Sequence, residues 1–261
     1  MMLKVINVDG KRQNQQGENN QMRLFLVRHG QTQANIDGVF CGKTDLPLTE
    51  IGIQQGQQVA DALKNITFQS IHCSEMQRAQ QTAQIIAQSN ISKLTIQSDH
   101  CLNELDFGAW ELRHHTDIAN EEPQAWLHWL ADWQNGCPTG GEPFRHFSAR
   151  VEKYTEELPA AISCSNTARK NQLIVAHQGV LGVMITKLLK LPITAMWSFH
   201  FQQGAYSVVN NYAGFATLQA FNARTECWPD KRKTVSCLWA ASDKFPGKVP
   251  AGNEDGSDHN L

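Results

Sequence analysis

The 261-residue chain is predicted to fold as a single three-layer α/β/α domain with a mostly parallel sheet. Two observations carry this prediction. Short apolar runs of strand length alternate with longer segments of helical period, the pattern of a sheet covered by helices on both faces. Two of the apolar runs end at once in a histidine and a nearby glycine, and open α/β sheets bind ligands at the carboxyl ends of their strands.

Strands are expected near 22–27, 69–73, 94–98 and 172–177, the first and last of them clear apolar runs. Helices are expected near 49–64, 75–89, 120–134, 142–162 and 179–190. Residues 205–212 and 215–223 read as a closing antiparallel pair around Gly214. Ser74 and Gln77 fit a capping box, a serine followed three residues later by glutamine, and would open the helix near 75–89. The domain is expected over residues 22–239. Residues 10–21 hold no apolar residue, so 1–21 are expected to be a disordered extension, with Met22 a candidate biological start. Residues 240–261 are rich in Pro, Gly, Asn, Asp and Ser and are expected to be a disordered tail.

A net charge of −2 argues against a generally basic surface for nucleic acid or membrane. No apolar run approaches the roughly 18 residues of a membrane span, and residues 1–21 lack the apolar stretch of a signal peptide. Seven dispersed cysteines, at 41, 73, 101, 137, 164, 227 and 237, form no pattern of zinc-like spacing. They read as reduced thiols of a cytoplasmic protein. No metal and no cofactor is expected; the expected partner is a small-molecule phosphate ester, with the oligomeric state open.

The most informative segment is Val27-Arg28-His29-Gly30 after the run Leu24–Val27. Arginine matches phosphate oxygens two at a time. An imidazole nitrogen can attack or shuttle a proton near neutral pH. Gly30, without a side chain, would let a phosphate approach the backbone. Arg78 follows early in a predicted helix, where the positive end of the dipole suits it badly and an anionic guest would explain it. Glu104 and Asp106 are two carboxylates in a loop-like stretch, either of which could be a general acid. Leu173–Gly179 repeats the first motif: an apolar strand, His177, Gln178, Gly179, then a helix start that suits an anion. Trp126, Trp129 and Trp133 are spaced three and four apart. They read either as a core-facing stripe or, with Trp110, as an aromatic wall for a flat base.

Taken in order, these blocks resemble the histidine phosphatase superfamily, the phosphoglycerate-mutase-like phosphatases. Val27-Arg28-His29-Gly30-Gln31-Thr32 matches its signature, Asn35 stands where the family has a phosphate-side asparagine, and Asp45–Gly52 matches the next block. Arg78, Glu104 and His177 match the other active-site positions. Trp110–His115, Asp132–Asn135, Pro138–Glu142, Ala176–Leu181 and Gly214–Leu218 are similar to the branch that acts on α-ribazole 5′-phosphate in cobalamin assembly, rather than to the mutases.

The resemblance implies His29 as a nucleophile forming a phosphohistidine. It implies Arg28, Arg78 and His177 as the phosphate clamp and Glu104, in preference to Asp106, as the acid. Gly30, Asn35, Gln178 and Trp110 are the expected substrate-binding residues. The arginines should lower the Glu104 pKa and a bound dianion should raise it. The group that orients His29 is not identifiable from sequence. Another phosphomonoesterase, a mutase, or a non-catalytic phospho-ligand-binding module would share most of these features; retention of His29 and Glu104 speaks against the last.

Overall fold

The computed structural model describes residues 21–158, 170–212 and 214–225, all within one compact unit that ends at Cys227. Of the extension expected at 1–21, Gln21 instead opens the first strand, and residues 1–20 lie outside the described residues, as do the tail at 240–261 and the domain's last stretch, 226–239.

Six strands form one sheet: β1 Gln21–Arg28, β2 Ser70–Cys73, β3 Ile96–Ser98, β4 Lys170–Ala176, β5 Tyr206–Tyr212 and β6 Phe215–Ala223. Their order is β3-β2-β4-β1-β5-β6. The pairs β3–β2, β2–β4 and β4–β1 are parallel, and β5 runs antiparallel to both β1 and β6. The sheet is therefore mostly parallel, as expected.

Side chains alternate across a strand, and β1 shows how this builds two cores. Met22, Leu24 and Leu26 face one side with Phe144, Phe147, Val151 and much of the helix after β4. Phe25 and Val27 face the other with Val59, Leu63, Ala79, Ala83 and Ile86. The helices are α1 Gln33–Asp37, α2 Glu50–Leu63, α3 Gln77–Ser89, α4 His115–Glu121, α5 Pro123–Ala131, α6 Phe144–Glu157 and α7 Gln178–Leu189. Helices α2 and α3 cover one face, α6 and α7 the other. Helix α7 is apolar nearly all round and correspondingly buried. No helix among the described residues is long and apolar enough to cross a membrane.

Three expectations change. The helix expected at 120–134 is two helices, broken at Glu122 because Pro123 must stand in a first turn. Trp133 lies beyond α5 and packs on Phe144 and Trp197, at ring-centroid distances of 4.6 and 5.3 Å. Trp129 and Trp133 pack against the α6–α7 core, so for those two the core reading holds. The Ser74–Gln77 capping box does not form: the N-cap of α3 is Met76, and Gln77 N–H donates to Asp45 Oδ1 at 2.6 Å instead. The short helix α1, five residues without an apolar stripe, has no counterpart in the sequence expectation.

Candidate active site

The sheet order assembles the site. In a parallel pair, the residues that follow two aligned strand ends are neighbours. Arg28 pairs with Ala176 across β1 and β4, so His29 and His177 emerge side by side, their ring centroids 5.0 Å apart. Cys73 pairs with Val175 across β2 and β4, so Ser74 emerges on the other flank of His177. His29 N–H to Ala176 O (2.9 Å) and Ser74 N–H to Val175 O (3.1 Å) extend the ladder through these ends.

His29 is buried, and its Nδ1 lies 2.7 Å from Gly30 O. A carbonyl only accepts, so Nδ1 carries the proton and Nε2 keeps its lone pair. The orienting partner that sequence reading could not supply is thus the carbonyl of the next residue. Burial, reinforced by Arg78 and Arg28, pushes the His29 pKa well below the usual imidazole range, which keeps the ring neutral and nucleophilic.

His177 is fixed by the same logic. Arg78 Nε, a pure donor, points at His177 Nδ1 at 3.3 Å. The proton therefore sits on Nε2 and is donated to Ser74 Oγ at 2.8 Å, which in turn donates to Asn103 Oδ1 at 2.8 Å. Every member of this chain has one assignable role. Burial, then the nearby Arg78, holds the His177 pKa well down. His177 is thus an acceptor toward Arg78; the expected role as a third donor requires a proton on Nδ1 and the loss of that contact.

Two arginines flank the histidines. Arg78, 1% exposed, donates through Nη1 to Thr44 O (2.9 Å) and through Nη2 to Gly42 O (2.7 Å). Arg28 Nη1 donates to Phe201 O at 3.1 Å, and its buried Nε has no acceptor among the described residues. A buried guanidinium nitrogen without an acceptor is costly and marks a place for an anion.

Glu104 reaches the N-terminus of α7: its Oε2 accepts from Gly179 N–H at 2.9 Å and its Oε1 from Leu105 N–H at 3.1 Å. Burial raises its pKa, opposed by those two N–H groups and then by Arg78 and Arg150. The expectation was that only a bound dianion would raise it; burial does so in the empty site as well. Asp106, the other candidate acid, is instead tied to Gly108 N–H at 2.9 Å and to Lys43 at 3.4 Å.

Arg28, His29, Arg78, Glu104 and His177 are thus brought together. The four expected substrate-binding residues fare differently. Gly30 is a glycine for packing: a Cβ there would lie 2.3 Å from Gly52 O, and its N–H is already given to Thr82 Oγ1. Gln178 is spent on the backbone, donating to Phe199 O (2.7 Å) and accepting from Phe201 N–H (2.9 Å). It holds the segment whose carbonyl holds Arg28. Trp110 is 0% exposed, with its indole N–H on Glu122 Oε2, and offers no face to a ligand. Asn35 is exposed at the start of α1, its Oδ1 accepting from Thr32 N–H and from Gln203 Nε2.

Two residues escaped sequence reading. Ser74 was taken for a cap, although it follows a strand end as both histidines do. Glu111 accepts four backbone N–H groups, from Gly42, Lys43, Thr44 and Phe107, and so shapes the loop whose carbonyls hold Arg78. No sequence signal separates Glu111 from an ordinary loop acid.

Asp99, His100 and Cys101, consecutive in sequence, bring one donor atom each within 4.8 Å of one another. The imidazole turns Nδ1 to Asp99 (3.5 Å) and Nε2 to Cys101 (3.6 Å). One ring nitrogen faces each neighbour, which makes the three a local polar cluster.

The chain belongs to the histidine phosphatase superfamily (branch 1), whose model matches residues 24–224. It is 41% identical over 209 residues to the adenosylcobalamin/alpha-ribazole phosphatase of Salmonella typhimurium, covering 80% of this chain and all of the relative. The crystal structure of the alpha-ribazole phosphatase from Shigella flexneri superposes with a TM-score of 0.73 at 40% identity, covering 80% of this chain and all of the other. A Salmonella choleraesuis protein named probable phosphoglycerate mutase GpmB is 35% identical over 176 residues, 67% of this chain and 78% of that protein.

Proposed function

We propose that this chain is a phosphomonoesterase that removes the 5′-phosphate from α-ribazole 5′-phosphate, or from the corresponding cobalamin 5′-phosphate, through a phosphohistidine on His29. The observation that carries the chemistry is the His29 Nδ1–Gly30 O bond, which leaves a bare Nε2 between two arginines.

Arg28 and Arg78 hold the equatorial phosphate oxygens, and His177, taking up a proton, adds a third donor. His29 Nε2 attacks phosphorus as the P–O bond to the substrate breaks, and the leaving alkoxide takes the proton of Glu104. Glu104, now ionised, accepts a proton from water as that water attacks phosphorus and the P–N bond breaks. Phosphate and the free alcohol are released, and His29 and Glu104 return to their starting states. The reaction needs no metal in this scheme.

Substrate choice rests on the 40–41% identity to phosphatases of that name and on the rings beside the clamp. Trp110 is too deep to stack on a base, but the half-buried rings of Phe40 and Phe107, 4.7 Å apart, are not. Phe40 lies two residues before Gly42 and Phe107 three after Glu104, so both sit on the segments that carry the clamp and the acid. A flat base stacks on such rings. Asn35, with its Oδ1 committed, would meet the phosphate through its amide nitrogen. The test is phosphate release, in chelator-treated buffer, from α-ribazole 5′-phosphate, cobalamin 5′-phosphate, 3-phosphoglycerate and 4-nitrophenyl phosphate. Preference for the first two by a large factor in kcat/KM is expected. A comparable kcat/KM on phosphoglycerate, mutase turnover without phosphate release, or a requirement for a divalent ion would overturn the assignment.

A further inference from the structure

We infer that Arg150, on α6, is the positioning residue for the general acid: it holds the segment that carries Glu104 while standing outside the site itself. The inference rests on Glu104 being the acid of the proposed reaction.

Arg150 gathers four backbone carbonyls of one short stretch. Nη1 reaches His100 O, Cys101 O and Asn103 O at 3.3, 3.0 and 2.7 Å, and Nη2 reaches Glu104 O at 3.1 Å. Nε and Nη2 also donate, at 2.9 Å each, to the two carboxylate oxygens of Glu142. All three guanidinium nitrogens are thereby used, and the group lies over the Phe147 ring at 4.9 Å. No side-chain atom of the clamp is among its partners.

The arrangement has a local cause. The stretch His100–Leu102 is one 3₁₀ turn; its His100 carbonyl already accepts from Asn103 N–H, and the carbonyls of His100, Cys101, Asn103 and Glu104 converge with no helix to continue into. Such an end carries partial negative charge and unpaired acceptors, which a planar fork of five N–H donors satisfies. Glu142 orients the fork by bidentate pairing. A lysine offers a point charge and cannot span four carbonyls and a carboxylate together. Among the described residues the Glu104 carboxylate is held by the Gly179 and Leu105 N–H groups. Asn103 is also held from the other side by Ser74 and Glu75; without Arg150 four carbonyls of the main chain that delivers Glu104 lose a donor, and an ångström of shift at a reacting group costs about 10²-fold.

The experiment separates positioning of an acid from general support of the fold. Arg150→Met, Arg150→Lys and, in parallel, Glu104→Gln are assayed on two esters. One is the alkyl phosphate with the highest wild-type kcat/KM in the panel above; the other is 4-nitrophenyl phosphate. Nitrophenolate leaves without a proton, whereas an alkoxide needs one. The expected result for both Arg150 variants is a loss of kcat/KM of about 10²-fold on the alkyl ester and under about five-fold on the aryl ester, with KM little changed, as for Glu104→Gln. Equal losses on both esters, or wild-type kinetics on the alkyl ester in either variant, would overturn the inference. A Glu104→Gln enzyme without alkyl-selective loss would overturn the acid and the inference with it. Failure of α-ribazole 5′-phosphate as a substrate would show in the wild-type panel and leave the two-ester comparison standing.

Discussion

Glycine at position 179 is predicted to be a catalytic requirement and not a structural one. A Cβ placed there would stand 2.4 Å from Glu104 Oε1, 3.1 Å from its Cδ and 3.2 Å from Oε2. Ordinary contact distances between heavy atoms are about 3.5 Å, so in Gly179→Ala the carboxylate must retreat by about 1 Å. The Gly179 N–H···Oε2 bond, 2.9 Å in the native protein, then stretches past the range of a hydrogen bond.

Displacement of that order at the acid should lower kcat/KM by about 10²-fold, or roughly 2.7 kcal/mol of transition-state stabilisation. Stability moves little. Gly179 is the second residue of α7, where alanine is favoured over glycine by up to about 1 kcal/mol, and the lost charge-assisted bond costs about 1.5–3 kcal/mol. The variant should therefore fold, with its melting temperature shifted by several degrees, while its alkyl-phosphatase activity collapses. Steady-state kinetics beside thermal unfolding read both quantities. A Gly179→Ala enzyme within three-fold of wild type would refute the view that Glu104 acts from the N-terminus of α7.

His29→Ala should abolish turnover, and quenching wild type with labelled substrate should trap an acid-labile phosphoenzyme; near-normal activity in the variant would sink the covalent route. The His177 pKa is held well below the usual imidazole range in the empty site, so the ring is neutral at pH 7, and a phosphate dianion must raise it. Binding of inorganic phosphate at a pH well above its own second ionisation, where the free ligand is already the dianion, should therefore take protons up, which calorimetry in buffers of differing ionisation enthalpy measures; binding that releases protons or exchanges none contradicts this sign.

How much of this was legible in the sequence follows from how far apart the deciding partners lie. Strands and the longer helices announce themselves through nearest neighbours: the apolar runs of β1 and β4 and the periodic faces of α2 and α3 are local patterns. Arg28, His29, Arg78 and His177 were legible because strand ends and a helix start place them without reference to anything else. The jobs of Gly30, Gln178 and Trp110 were not, because Gly52, Phe201 and Glu122 decide them and no local pattern links those residues. Ser74 was misread for a related reason. A serine with glutamine three residues on is a cap by local rules, yet the Ser74 hydroxyl finds His177 and Asn103, and an aspartate 32 residues away takes the N–H of Gln77. The break at Pro123 was a local signal left unused.

The placing of carboxylates fits the proposed binding of a phosphate dianion by Arg28 and Arg78. Arg28 and Arg78 are anchored by the carbonyls of Phe201, Gly42 and Thr44. A carbonyl fixes an arginine without cancelling its charge; a carboxylate would fix it and compete with phosphate for it. Glu111 and Glu142 stand one step back, Glu111 on the N–H groups of the loop that holds Arg78, Glu142 on the arginine that holds the Glu104 segment. Glu104, the one carboxylate that enters the site, has its oxygens on the N–H groups of Gly179 and Leu105. Among the described residues no carboxylate forms an ion pair with Arg28 or Arg78, although Glu104 lies near enough for both to feel its charge. Two arginines are already oriented beside His29, near the ends of β1 and β4. Such a site owes its strength to preorganised charge. Its tuning therefore lies as much in the residues that hold the arginines and the acid as in those that touch phosphate.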